Sequence, residues 1–269
     1  AGRSAGVVGW WTTWPAEPVD GFIVSDHLAF NRWDSWAQRG GPGSADPNDW
    51  LTWPPELAAE LRPQARRPED IALETLTSIV PFNAREQREM MSAKGPVLFH
   101  GPSVFRFGYS TDASNFSFGM YMLEQHEQPD LFATLFVLGD IAGHVFWHHY
   151  EPERFAEFDA AEAHLRDAIP SAYRQIDRWT AALVAQLDPT TTIVIVSDHG
   201  MGPEGVVPEP GVNPAGDHLP EGILVVAGPK ALRGFDFGEL ASVDFAPTVL
   251  NLLGLPSAED MPGRAPWKR

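Results

Sequence analysis

The chain has 269 residues, 43% of them hydrophobic and 20% charged, a balance that supports one large buried core and excludes a disordered chain. Acidic residues outnumber basic ones by 36 to 19, and the resulting formal charge of −17 opposes binding to nucleic-acid polymers, whose phosphates it repels. There is no cysteine, so disulfides and thiolate ligands are excluded and any metal must be held by His, Asp or Glu.

The chain opens Ala1-Gly2-Arg3-Ser4, without an initiator Met or a signal-peptide pattern. It then enters an apolar strand with no lead-in, so upstream residues are expected to be missing, and the chain reads as an N-terminally truncated single domain over 1–269. Residues 7–11 and 22–24 are predicted as short strands, joined through the rigid loop Trp14-Pro15-Ala16-Glu17-Pro18. Seven of the ten Trp residues precede position 54, serving as hydrophobic filler or as an aromatic wall. Residues 38–55, rich in Gly, Pro, Asp and Asn, form an irregular excursion, and 54–92 is helical with many charges. This break in the strand–helix rhythm marks 38–112 as an inserted cap.

From residue 116 the rhythm is regular. A helix is predicted over 116–128 from the spacing of Phe116, Met120 and Leu123, and a strand over the continuous apolar run 131–138. A helix over 171–187 carries Tyr173, Ile176, Thr180, Leu183 and Leu187 on its inner face. Residues 191–196 and 222–227 read as buried strands. The last helix, 244–253, has Ser242 or Asp244 at its start, Gly254 at its end and Pro256 to stop it. Alternating strands and helices make this an α/β protein with a mostly parallel sheet between helices, and such sheets bind ligands at the carboxyl ends of their strands. No apolar run approaches the roughly 18 residues that a membrane-spanning helix needs.

Three segments place carboxylates and imidazoles beside glycine: Gly139-Asp140-Ile141-Ala142-Gly143-His144, Ser197-Asp198-His199-Gly200-Met201 and Gly216-Asp217-His218. If a helix starts at 141, Asp140 and His144 project to one side. Beyond a strand end, a turn at Gly200 lets Asp198 and His199 converge on one ion. His218 lies just before a strand, with Asp217 as a turn former or as the partner that fixes its tautomer. Taken singly, an Asp-x-x-x-His pair is commonly a surface ion pair or cap; taken jointly, the three segments supply ligands for two divalent metals. Imidazole with carboxylate suits Zn²⁺ best, with Mn²⁺ or Fe as alternatives. His148 and His149 read as packing or pocket rim, His27, His100, His126 and His164 have no organised neighbourhood, and Asp177 is solvated. Gly228-Pro229-Lys230 reads as a surface turn.

The pattern resembles the alkaline phosphatase superfamily, in particular its type I phosphodiesterase/nucleotide pyrophosphatase branch. The resemblance rests on 138–147, on Val196-Ser197-Asp198-His199-Gly200-Met201, on Gly216-Asp217-His218 with Gly222-Ile223-Leu224, and on Val243-Asp244-Phe245-Ala246-Pro247-Thr248-Val249-Leu250. It implies an alkaline-phosphatase-like core and a metal-dependent hydrolase of small phosphate esters. By the resemblance, Asp140, His144 and His218 hold one metal, and Asp198 and His199 the second. The family completes the second site with an Asp and uses a Thr or Ser nucleophile. Both are expected upstream of Ala1, since Thr12, Thr13 and Asp20 lack the strand and helix contexts required. Phosphomonoesterases, sulfatase-like esterases and phosphoglycerate-mutase-like transferases share the frame, and a metal-binding pseudoenzyme lacking the nucleophile is the alternative of another class. Substrate choice is expected to lie with 38–112 and the Trp-rich start; the residues give a soluble chain with no signal for compartment or oligomeric state.

Overall fold

The computed structural model describes residues 2–29, 50–92, 101–158, 162–203, 216–229 and 231–266. Ala5–Val8 (β1), Gly21–Val24 (β2), Thr52–Trp53 (β3) and Leu131–Thr134 (β4) form a four-stranded sheet in the order β3-β2-β1-β4. β1 pairs parallel with both neighbours, placing Val8 opposite Val24 and Thr134, whereas β3 joins the edge antiparallel. Among the described residues, seven α-helices flank this mostly parallel sheet: Leu57–Leu61 (α1), Leu73–Ile79 (α2), Ala84–Ser92 (α3), Gly101–Gln125 (α4), Leu138–Tyr150 (α5), Ala168–Val184 (α6) and Phe245–Leu252 (α7). This is the α/β architecture read from the sequence. Most of the 38–55 excursion, together with Trp33, Trp36, His100 and Lys230, lies outside the described residues.

Two apolar clusters share α4. Val8, Phe22 and Val24 of the sheet pack with Leu57 and Leu61 of α1 and with Phe118 and Met122 of α4. The larger cluster joins Leu76, Met90, Phe105, Leu138, Ala142, Phe146 and Trp179, with the Phe105 and Phe146 rings edge to face at 5.8 Å. Helix α4 begins at Gly101, well before the predicted 116, because it is buried on most of its circumference and therefore carries no amphipathic period. Its buried polar groups bind backbone: Arg106 Nε donates to the Pro68 carbonyl at 2.7 Å, and Ser114 Oγ accepts the Arg66 N–H at 2.8 Å.

Three further expectations are corrected. The strand predicted over 131–138 ends at Thr134, and α5 starts at Leu138. The cause is Asp112 on α4, whose buried carboxylate accepts the N–H groups of Val137 and Leu138, each at 2.8 Å, satisfying two donors that a helix start leaves open. On α6 the buried residues are Ala168, Ile169, Ala172, Trp179 and Leu183, while Tyr173 is 55% exposed and lies over Gly139; small alanines let the helix approach α5 closely. Finally, Ile193–Val196 (β5) and Leu224–Ala227 (β8) form a separate antiparallel pair, with Val196 and Val225 exposed toward a cleft and Ile195 also exposed, instead of buried in the sheet.

Burial pushes the Asp112 carboxyl up to about 7, against the pull of its two backbone hydrogen bonds. A carboxyl raised above its unfolded value contributes stability below about pH 4 and loses it as pH rises through about 7. Asp112→Asn removes that pH dependence, and its amide leaves one buried N–H without an acceptor, at a cost of about 1–3 kcal/mol. Urea denaturation of both proteins at several pH values between 4 and 8 is expected to show the wild-type advantage shrinking as pH rises.

Candidate metal centre

Helix α5 carries the first two ligand candidates one turn apart. Asp140 lies in its first turn and His144 follows at i+4, with Asp140 Oδ1 3.3 Å from His144 Nε2. The other candidates come from a second antiparallel pair, Gly200–Gly202 (β6) with Asp217–Leu219 (β7), in which Met201 faces His218, and from the bend at Asp198 and His199 that leads into β6. Met201 packs against Gly143, and Gly216 sits against the Gly143 carbonyl and Trp147. The ribbon is thus docked directly on α5.

This docking brings His218 Nε2 to 3.1 Å from Asp140 Oδ1 and 2.9 Å from His144 Nε2. The ligand atoms of Asp140, His144 and His218 all lie within 4.8 Å of one another. The His199 ring stacks on that of His218 at 3.7 Å, with Nε2 3.8 Å from Asp140 Oδ1. Asp198 stands apart: its side chain is 87% exposed, and its Oδ1 lies 3.7 Å from His199 Nε2. Asp140, His144, His199 and His218 therefore form one group, and Asp198 borders it from the solvent side.

Backbone carbonyls fix the imidazoles. His144 Nδ1 lies 2.9 Å from the Gly216 carbonyl and His199 Nδ1 lies 2.7 Å from the Gly200 carbonyl, so each Nδ1 donates to its carbonyl and each Nε2 is turned toward Asp140. Asp217, expected as a turn former or as a tautomer-fixing partner, accepts the backbone N–H of His218, a local turn contact. Burial pushes the Asp140 carboxyl up, but hydrogen bonds and charge from His144 and His218 outweigh this and hold it below its usual range. Burial pulls the His144 imidazole down, but Asp140, the Gly216 carbonyl and Asp217 together hold it above its usual value. Ring nitrogens and a carboxylate gathered at one point, with opposite ring nitrogens anchored, form a donor set that fits a divalent cation of the Zn²⁺ type.

The group opens onto a cleft of about 2350 Å³ lined also by Trp10, Trp11 and Phe136. Tyr173 was read from the sequence as a packing residue; burial and the charge of Asp140 raise its phenol, so it keeps its proton beside the site. Nothing local in the sequence marked it, because α5 and α6 meet only in the fold. Of the histidines without an assigned role, His148 and His149 are buried, His27 stacks on Trp14, and His126 lies 3.4 Å from Glu60. His164, read as isolated, lies instead among Glu86 and Glu162.

A sequence model of the family described as type I phosphodiesterase / nucleotide pyrophosphatase matches residues 2–218, a span that includes all five ligand candidates. No curated protein and no solved structure matches the chain.

The docking of β7 on α5 has a direct test. A Cβ at Gly216 would stand 2.7 Å from the Gly143 carbonyl oxygen, a backbone contact that cannot yield without moving β7. Gly216→Ala is expected to displace His218 and to weaken Zn²⁺ binding roughly 10- to 100-fold while leaving the far-ultraviolet circular dichroism unchanged. Isothermal titration with Zn²⁺ gives the answer.

Proposed function

The chain belongs to the type I phosphodiesterase / nucleotide pyrophosphatase family of the alkaline phosphatase superfamily, and from that membership we propose that it is a two-metal hydrolase of small phosphodiesters or nucleotide pyrophosphates. The family is hydrolytic and metal-dependent and acts on small phosphate esters. What carries the reading to particular residues is the convergence of His144 Nε2 and His218 Nε2 on Asp140 Oδ1, at 3.3 and 3.1 Å.

In this reading Asp140, His144 and His218 hold one ion, and Asp198 and His199 contribute to a second. Zn²⁺ suits both sets, with Mn²⁺ or Fe as substitutes. When bound, such ions supply Lewis acidity toward phosphoryl oxygens and lower the pKa of a coordinated hydroxyl. The chain's own residues do the positioning. The Gly216 and Gly200 carbonyls keep the Nδ1 protons of His144 and His199 turned away from the substrate side. Asp140, partly buried between three imidazoles, fixes their common focus. The protonated Tyr173 phenol can donate a hydrogen bond to an anionic oxygen beside Asp140, and Trp10 and Trp11 present an apolar wall on the same cleft. The reading assigns no nucleophile to these residues.

Assay of the protein carrying this chain on bis(p-nitrophenyl) phosphate and p-nitrophenyl phosphate, with Zn²⁺ or Mn²⁺ supplied, is expected to show faster hydrolysis of the diester and loss of turnover on chelation. His218→Ala is expected to lose one bound ion and at least about 100-fold in rate, the scale on which a misplaced reacting group acts. Full metal content in His218→Ala sinks the ligand assignment. Tight metal binding with no turnover of either ester returns the chain to the class of metal-binding modules.

A further inference from the structure

A second convergence of metal-ligating groups lies on another side of α5. Glu86 on α3, with Glu162 and His164 of the turn before α6, bring one ligand atom each within 4.8 Å of one another. His164 Nε2 lies 3.1 and 3.0 Å from the two oxygens of Glu86, and its Nδ1 lies 3.5 Å from Glu162 Oε2. His149, at the end of α5, binds the same turn by accepting the Glu162 N–H on Nδ1 at 2.9 Å. At 3.6 residues per turn, five residues separate His149 from His144 by roughly 140° around the helix, so the two groups occupy different faces.

We propose that Glu86, Glu162 and His164 form a second divalent-cation site, a structural one that ties the start of α3 to the turn preceding α6. The first argument is spacing. Donor atoms about 3.0–3.4 Å apart are what bonds of about 2.0–2.1 Å to a common ion require, and the His164 nitrogen and Glu86 oxygens already stand at that separation. The second is charge. The Glu86 side chain is only 3% exposed, and a carboxylate so buried is paired or holds a metal; the titratable group against it is His164, which as a metal ligand would be neutral. The remaining contacts of Glu86, the N–H and Nδ2 of Asn83 at 2.8 Å each, are neutral. Arg85 is directed to Glu162 Oε1 at 2.9 Å, which leaves Oε2 facing His164. His149 accepts the Glu162 N–H on Nδ1, so that nitrogen carries no proton to offer either carboxylate. The third is sequence separation: Glu86 and His164 are 78 residues apart, so closing them around an ion would constrain a long loop. Imidazole with two carboxylates suits Zn²⁺ or Mn²⁺.

The test counts ions. The wild-type protein and the variants His164→Gln, Glu162→Gln, His218→Ala and His164→Gln/His218→Ala are dialysed against Zn²⁺ and analysed by atomic emission. His164→Gln and Glu162→Gln are each expected to bind one Zn²⁺ fewer than wild type. The double variant is expected to bind one fewer than His218→Ala, which isolates this site from the Asp140 group. In thermal melts, Zn²⁺ is expected to raise the Tm of His218→Ala more than that of the double variant. Equal Zn²⁺ content in wild type and His164→Gln, or equal Zn²⁺-induced Tm shifts in His218→Ala and the double variant, overturns the proposal and leaves Glu86 as the capping partner of Asn83, ion-paired with His164. Glu162 is one-third exposed, so its isosteric replacement keeps the count interpretable if His164→Gln folds poorly.

Discussion

The carboxylate of Asp112 sets the position from which the rest of the centre follows. It is wholly buried on α4 and accepts the first two N–H groups at the start of α5. Asp140 and His144 follow at fixed angular steps of about 100° per residue, so the phase of α5 decides whether they face the β6–β7 ribbon or turn away from it. A cap from within the helix's own sequence would fix only where the helix begins. A cap supplied by a buried neighbouring helix also fixes its rotation and depth. The electrostatics carry opposing terms: burial disfavours the charged carboxyl, while two hydrogen bonds and the positive end of the helix favour it.

The ligand candidates divide by origin. Asp140 and His144 sit on a helix packed into the larger core through Leu138, Ala142 and Phe146, so their separation is set by helical geometry. His218 lies in a short two-stranded ribbon, and His199 in the bend just before it, and the ribbon's placement rests on close contacts at Gly143 and Gly216. The ribbon and the helix also exchange a hydrogen bond, from His144 Nδ1 to the Gly216 carbonyl. That bond does two things together: it holds β7 against α5, and it leaves His144 Nε2 turned toward Asp140. Structural docking and ligand competence are therefore the same interaction, and a change at one is felt at the other.

What the sequence revealed follows from how local each signal is. The Asp140–His144 spacing, the Asp198-His199-Gly200 turn and the terminal helix with Gly254 (φ +74°) are legible because each depends on residues within one turn of itself. The end of β4 was overrun because a continuous apolar run carries no period and the cap that stops it lies 25 residues away, at Asp112. The first half of α4 was missed for the related reason that a helix buried all round has no polar face to mark it. β5 and β8 were recognised as strands from their β-branched residues, but which strand pairs with which is a tertiary matter. The outward position of Asp198 and the neighbourhood of His164 were equally out of reach, since both depend on partners brought in by folding.

Charge gives the arrangement its remaining logic. A chain with a formal charge of −17 repels anionic esters at a distance, so any attraction must be generated at the site itself. Three imidazoles gather around one partly buried carboxylate, and one Asp140 cannot balance more than one protonated ring. With their Nδ1 atoms held by carbonyls, the His144 and His199 rings are instead set with Nε2 turned toward Asp140. In the proposed reading a divalent cation among these groups would turn the local field toward phosphate. The same surplus of acidic residues that would repel a substrate elsewhere on the surface then confines its favourable contacts to the cleft.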